Sequence, residues 1–109
     1  MKVVIERSSW GTKKLHDTLN GSFCALGFVG LACGYSPYQM ADAVYPGIVA
    51  NKYGNKWPDG IVQMLTGFWY STDLAQNLMD ENDNTKCLQR EQRVIEAGKD
   101  LGIEFVFED

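Results

Sequence analysis

SFCALGFVGLACG, running from Ser22 to Gly34, is the only long segment of the chain with no polar face, and the rest of the fold has to be built around it. Ser22 offers an N-cap hydroxyl and Gly34 a residue free to take the left-handed C′ conformation. The run from Phe23 to Cys33 therefore reads as about three helical turns. A helix that is apolar all round is buried on several sides. With ~11 apolar residues it falls short of the roughly 20 that span a bilayer, so it is a core helix and not a membrane anchor. Burying Phe23, Leu26, Phe28, Val29 and Leu31 at roughly 1.5–3 kcal/mol each makes it the centre of the core. Gly27 and Gly30 each weaken the helix by up to about 1 kcal/mol relative to Ala, which predicts that another element approaches closely there.

On the N-terminal side, Lys2 to Arg7 alternates, with Val3 and Ile5 on one face, and reads as a half-buried strand. Trp10 and Gly11 form a turn, after which Thr12 caps a short helix to Leu19 with Leu15 and Leu19 on one face. Asn20 and Gly21 turn the chain into the central helix. On the C-terminal side, Ser36, Pro37 and Gln39 form a capping box that opens a helix to about Val44, ended by Pro46 and Gly47. Ile48 to Gly60 reads as an irregular, aromatic-bearing loop. Ile61 to Leu65 is either a short helix or a strand, and leads through Thr66 and Gly67 into Phe68, Trp69 and Tyr70. Ser71 caps a helix with Leu74, Leu78 and Met79 inward, ended by the polar break from Asp80 to Asn84. A second amphipathic helix runs from about Thr85 to Leu101, carries Cys87, Leu88, Val94 and Ile95 inward and stops at Gly102. Ile103, Phe105 and Phe107 alternate in a terminal strand. The expected fold is a single α+β domain over residues 1–109. Its N- and C-terminal strands pair in a small sheet packed against the central helix (about 22–34) and further helices.

Composition narrows the function. The 109 residues are 45% hydrophobic and 22% charged, as in one ordinary globular domain. A net charge of −4 argues against a protein that holds nucleic-acid phosphates. MKVVIERSSW carries Lys2, Glu6 and Arg7 and has no apolar h-region, so no secretory signal is read there and the cytoplasm is the expected location. Cys24 and Cys33 lie on opposite faces of the proposed helix, roughly 13 Å apart, and cannot pair. The three cysteines show no zinc spacing and fit a reducing compartment. No phosphate loop, GxSxG elbow or HExxH is present, and no cofactor is implied.

Three constellations carry chemistry. Cys24, in the first turn of the central helix, is placed where the helix dipole favours a thiolate. With His16 as base and Asn82 or Asp83 as orienter it makes a Cys/His hydrolase; the structural reading is a small buried hydrophobe. Asp80, Asn82, Asn84 and Glu91 match a calcium-loop pattern that fails at Thr85, where glycine is required; the structural reading is a cap for the last helix. The aromatics Tyr53, Trp57, Phe68, Trp69 and Tyr70, with Asp59, divide between core and interface anchors, and Asp80, Glu81 and Asp83 add charge for a partner.

The segments FCALGFVGLACG and LMDENDN and the Arg-rich helix running into LGIEFVF carry a resemblance. Together they are similar to a set of small bacteriophage and prophage proteins with no assigned activity. In these, a CCLG-like helix follows an N-terminal strand and a Leu-x-x-x-Asn-Asp segment precedes the last helix. Phe23 and Cys24 stand here in place of the double cysteine. The resemblance implies a phage accessory protein that binds and inhibits or redirects a host protein, such as a defence or transcription component. The leading expectation is thus a non-enzymatic protein-binding module. A hydrolase using Cys24 and His16 is second, and a small-ligand or metal binder third.

Overall fold

Alternation at the N-terminus builds the first strand as expected: in β1 (Lys2–Glu6) Val3 and Ile5 are buried while Lys2, Val4 and Glu6 face solvent. The computed structural model describes all residues 1–109. β1 pairs with the last strand, β4 (Glu104–Glu108), in parallel, with Val3 beside Phe105 and Ile5 beside Phe107. A parallel pair needs a crossover, and here the crossover is the whole intervening chain.

The central helix, α1 (Ala25–Ala32), lies against β1. It begins three residues later than Ser22, and Cys24 is its N-cap. Phe23 is held extended instead: its N–H donates to the Ser9 carbonyl and its carbonyl accepts from Gly11 N–H, both at 2.8 Å. Gly34 (φ +100°) ends the helix in the left-handed conformation, and Tyr35 N–H reaches back to the Gly30 carbonyl. A methyl group on Gly27 would collide with the Leu15 carbonyl, and one on Gly30 with the Met40 sulfur and the Trp57 ring. Both glycines therefore mark the close approaches their positions predict.

The Thr12–Leu19 helix does not form. Leu15 N–H donates to the Ala43 carbonyl, the Lys14 carbonyl accepts from Cys24 N–H, and the His16 carbonyl accepts from Asp42 N–H, so this segment is laced between neighbours. Leu15 is fully buried and Leu19 is 93% exposed; they share no face. The capping box at Ser36 is present in both halves, but α2 (Pro37–Met40) lasts one turn because Asp42 turns left-handed (φ +56°). Pro46 and Gly47 start a helix where they were expected to end one. α3 (Pro46–Tyr53) has proline at its first position, where the missing N–H is harmless, and replaces the predicted loop from Ile48 to Tyr53.

Ile61–Leu65 resolves as strand. β2 (Val62–Leu65) and β3 (Phe68–Ser71) form an antiparallel hairpin closed by Thr66 (φ +50°) and Gly67 (φ +86°), a two-residue turn with both central residues left-handed. Thr72, one residue past Ser71, caps α4 (Asp73–Asp83), its hydroxyl accepting from Ala75 N–H. Leu78 and Met79 are buried but Leu74 is 46% exposed. α4 runs through the expected break as far as Asp83. α5 (Arg90–Asp100) starts five residues later than Thr85, leaving Leu88 in solvent, and packs on α4 and β4. Ile5, Leu15, Leu26, Met40, Ile61, Leu78 and Ile103 form the fully buried centre. The radius of gyration is 12.7 Å, against the roughly 13 Å typical of a single domain near this length. The α+β class and the pairing of terminal strands are thus as expected.

Candidate functional site

Side chains alternate across a strand, so the hairpin has two faces set by its register. Gln63 pairs with Tyr70 and Leu65 with Phe68, which puts these four on one face; Val62, Met64, Trp69 and Ser71 share the other. Trp69 packs against the core. The first face is open: Leu65 is 49%, Phe68 58% and Tyr70 48% exposed. The Asn51 side chain fixes the hairpin to α3, accepting from Trp69 N–H at 2.7 Å and donating to its carbonyl at 3.0 Å. Gly47 lets the two elements meet, since a methyl there would strike the Trp69 carbonyl. Beside Tyr70, Tyr45 and Ile48 are also about half exposed, and the three share the wall of a cavity of about 430 Å³. The result is one apolar surface from the hairpin onto the start of α3.

Trp57 does not belong to this surface. It is 5% exposed, its indole N–H donates to the Pro46 carbonyl at 3.0 Å, and its ring lies 5.1 Å from that of Tyr35. Tyr53, the last residue of α3, is half-buried beneath the Lys52 ammonium, and Asp59 is exposed in the turn before β2. The acidic stretch does not act as one patch. Asp80 accepts from the Gln76 amide, Glu81 faces Arg93 at 3.9 Å, and Asp83 accepts from Lys13 N–H at 2.8 Å.

Cys24 lines a second cavity, of about 330 Å³, together with Asp83, Lys13 and Lys14. His16 is not on its wall: its ring stacks on Phe23, 4.3 Å between centroids. Phe23 and Cys24 are successive residues of extended chain and point to opposite sides, which separates the imidazole from the thiol. Burial pushes the Cys24 thiol up to about 12, overriding the Gly27 and Leu26 amides, and the Asp83 charge raises it further. The Cys/His/Asx arrangement is therefore not assembled, and Cys24 takes the buried-hydrophobe reading.

The residue that sequence reasoning misassigned is Asn82, which is 1% exposed. Its side-chain oxygen accepts from the Trp10 indole at 2.7 Å and from Ala25 N–H at 2.9 Å, and its amide donates to the Gly11 carbonyl and to Asp83. Arg90 lies 3.6 Å over the Trp10 ring and donates to the Asn82 carbonyl at 2.6 Å. Asn82 thus caps α1 from across the molecule. Ala75, Leu78, Met79 and Asn82 follow the i, i+3, i+4, i+7 stripe of a helix, and that spacing is the signal that places Asn82 inside. The calcium pattern is not assembled either, because Asp80 and Asn82 are helical and Glu91 is bound by Arg7 at 2.8 Å. No three His, Cys, Asp or Glu side chains converge to hold a metal. No helix is long and apolar enough to cross a membrane.

Comparison with protein-family models, with curated proteins and with solved structures gives no match for this chain.

Proposed function

We propose that the chain is a protein-binding module that docks through the open face of the β2–β3 hairpin and the adjoining Tyr45 and Ile48. One observation carries this reading. Leu65, Phe68 and Tyr70 stand side by side in solvent on a hairpin whose other face is anchored to the core. Aromatic side chains held on a rigid element lose little entropy when a partner covers them, which makes them effective anchors. The resemblance to small phage and prophage proteins supports a host protein as the partner, in the manner of an inhibitor of a defence or transcription component. Trp69 contributes by fixing the hairpin, and Trp57 by supporting the core, not by contact.

The test is capture of partners from bacterial lysate by the wild type and by a Phe68→Ala, Tyr70→Ala variant, with circular dichroism on both. Both residues are about half exposed, so the variant keeps its fold. A stoichiometric partner whose affinity falls at least tenfold in the variant supports the reading, and a partner held equally by both overturns the assignment of this face.

A further inference from the structure

We infer that the open edge of β2 pairs with the same edge of a second copy of this chain, joining two hairpins into one four-stranded antiparallel sheet about a two-fold axis at Gln63. The geometry starts from Trp69. Its N–H and carbonyl are bound by Asn51, so they point away from β2. Met64 is its partner across the hairpin, which makes this a pair without mutual hydrogen bonds, and the Met64 N–H and carbonyl therefore point away from β3. Val62, opposite Ser71, repeats the arrangement two residues earlier. The alternation holds at the base of the hairpin, where Thr72 N–H donates to the Ile61 carbonyl at 3.1 Å.

The two edges of the hairpin differ in consequence. On β3, the Asn51 amide closes the outward groups of Trp69. On β2, the outward N–H and carbonyl groups of Val62 and Met64 have no strand beside them, and Gln63, Met64 and Leu65 are exposed. A two-fold axis at Gln63 sets Val62 of each copy opposite Met64 of the other. These are the residues whose backbone groups face outward, so four N–H···O bonds form and all four groups on each strand are satisfied. The edge is self-complementary, as an interface made of the same patch twice requires.

Charge does not oppose this occupant. Residues Ile61 to Ser71 include no Asp, Glu, Lys or Arg in a chain of net charge −4, so the hairpin brings no like charges of its own against a second copy. β2 also lacks the lysine, proline or bulge that blunts an edge strand against pairing. Edge pairing leaves the face of Leu65, Phe68 and Tyr70 uncovered and doubles it, so this inference stands apart from the docking reading.

Light scattering on the eluting full chain, over a concentration series, is expected to give twice the 12.2 kDa monomer mass. Met64→Pro removes an N–H that the hairpin itself does not use, and is expected to convert the protein to a monomer. Because proline also restrains the strand, a second variant is read alongside. Gln63→Cys, in a Cys33→Ser, Cys87→Ser background, places two thiols in a facing pair with Cα atoms about 4.5 Å apart, within disulfide range. Mild oxidation is expected to yield a covalent dimer, while Thr66→Cys in the same background stays monomeric under denaturing conditions. A monomer at every concentration overturns the inference. So does a dimer in which Gln63→Cys fails to cross-link, since that places the interface elsewhere. Phe68→Ala, Tyr70→Ala is expected to remain dimeric, which separates this result from loss of a docking partner.

Discussion

Asn82 shows how one buried polar side chain can position three parts of a chain. Its amide satisfies the first N–H of α1, the Trp10 indole and the Gly11 carbonyl together, and Arg90 covers the indole from outside. Buried donors left without a partner carry a heavy penalty. Asn82→Ala is therefore expected to destabilise the protein by about 3 kcal/mol, read by urea denaturation, with a larger loss than Asp80→Ala at the exposed position two residues earlier. Cys24 is the opposite kind of residue. Its thiol is buried and held protonated, with a pKa pushed up to about 12, so iodoacetamide at neutral pH is expected to modify the half-buried Cys87 in the native protein and to reach Cys24 only on unfolding. Rapid native alkylation of Cys24 would restore the thiol-enzyme reading. The burial of Cys24 was legible from residue type, since free cysteines are commonly buried, whereas that of Asn82 shows only in the helical spacing of its neighbours. The amides at the start of α1 favour a thiolate at Cys24, and burial outweighs them.

At the scale of elements, the strands and helix caps with strong local signals were legible, and those governed by distant contacts were not. β1 and β4 follow simple alternation, and the Ser36 box forms in both halves. The segment from Thr12 to Leu19 has a helical pattern, but its backbone groups bond to Ser22, Cys24, Asp42, Ala43 and the Asp83 carboxylate, and no helix forms. Pro46 was ambiguous because proline both follows helices and opens them. The hairpin was the harder case. Thr66-Gly67 is a turn signal, but a β-branched residue at positive φ is uncommon, so the two-residue turn is not legible from residue type. Of the candidate anchors, Phe68 and Tyr70 reach solvent because the register turns them outward, and Trp57 does not because Pro46 and Tyr35 enclose it. Exposure of an aromatic depends on register and packing, which composition does not carry.

At the scale of the molecule, the two ends of the chain are tied together. The Met1 ammonium donates to the Gly102 carbonyl at 2.9 Å, and Arg7 at the end of β1 binds Glu91 of α5 through two bonds of 2.8 Å and Asp109 at 3.1 Å. The hydrogen bonds from Arg7 hold the Glu91 carboxyl below its ordinary range, and those from Thr18 do the same for Asp42. A carboxyl depressed in the folded state stabilises the fold above its unfolded pKa, and that stabilisation is lost as pH falls through the folded value. The melting temperature is thus expected to drop as pH is lowered through and below about 4, the ordinary carboxylate range, and Glu91→Gln is expected to reduce the drop. Both groups are solvent-exposed, so the effect is modest and shrinks with added salt.

With the termini clamped on the β1–β4 side, the hairpin and the start of α3 present the apolar surface on which the functional reading rests. The most direct measurement of that claim is photo-cross-linking in bacterial cells. A benzophenone amino acid replaces Phe68 on the hairpin face in one protein and Tyr38, 80% exposed on α2, in another. A single partner captured from position 68 and not from position 38 is the expected result. Equal capture from both, or capture from position 38 alone, would contradict the assignment of the hairpin face as the docking surface.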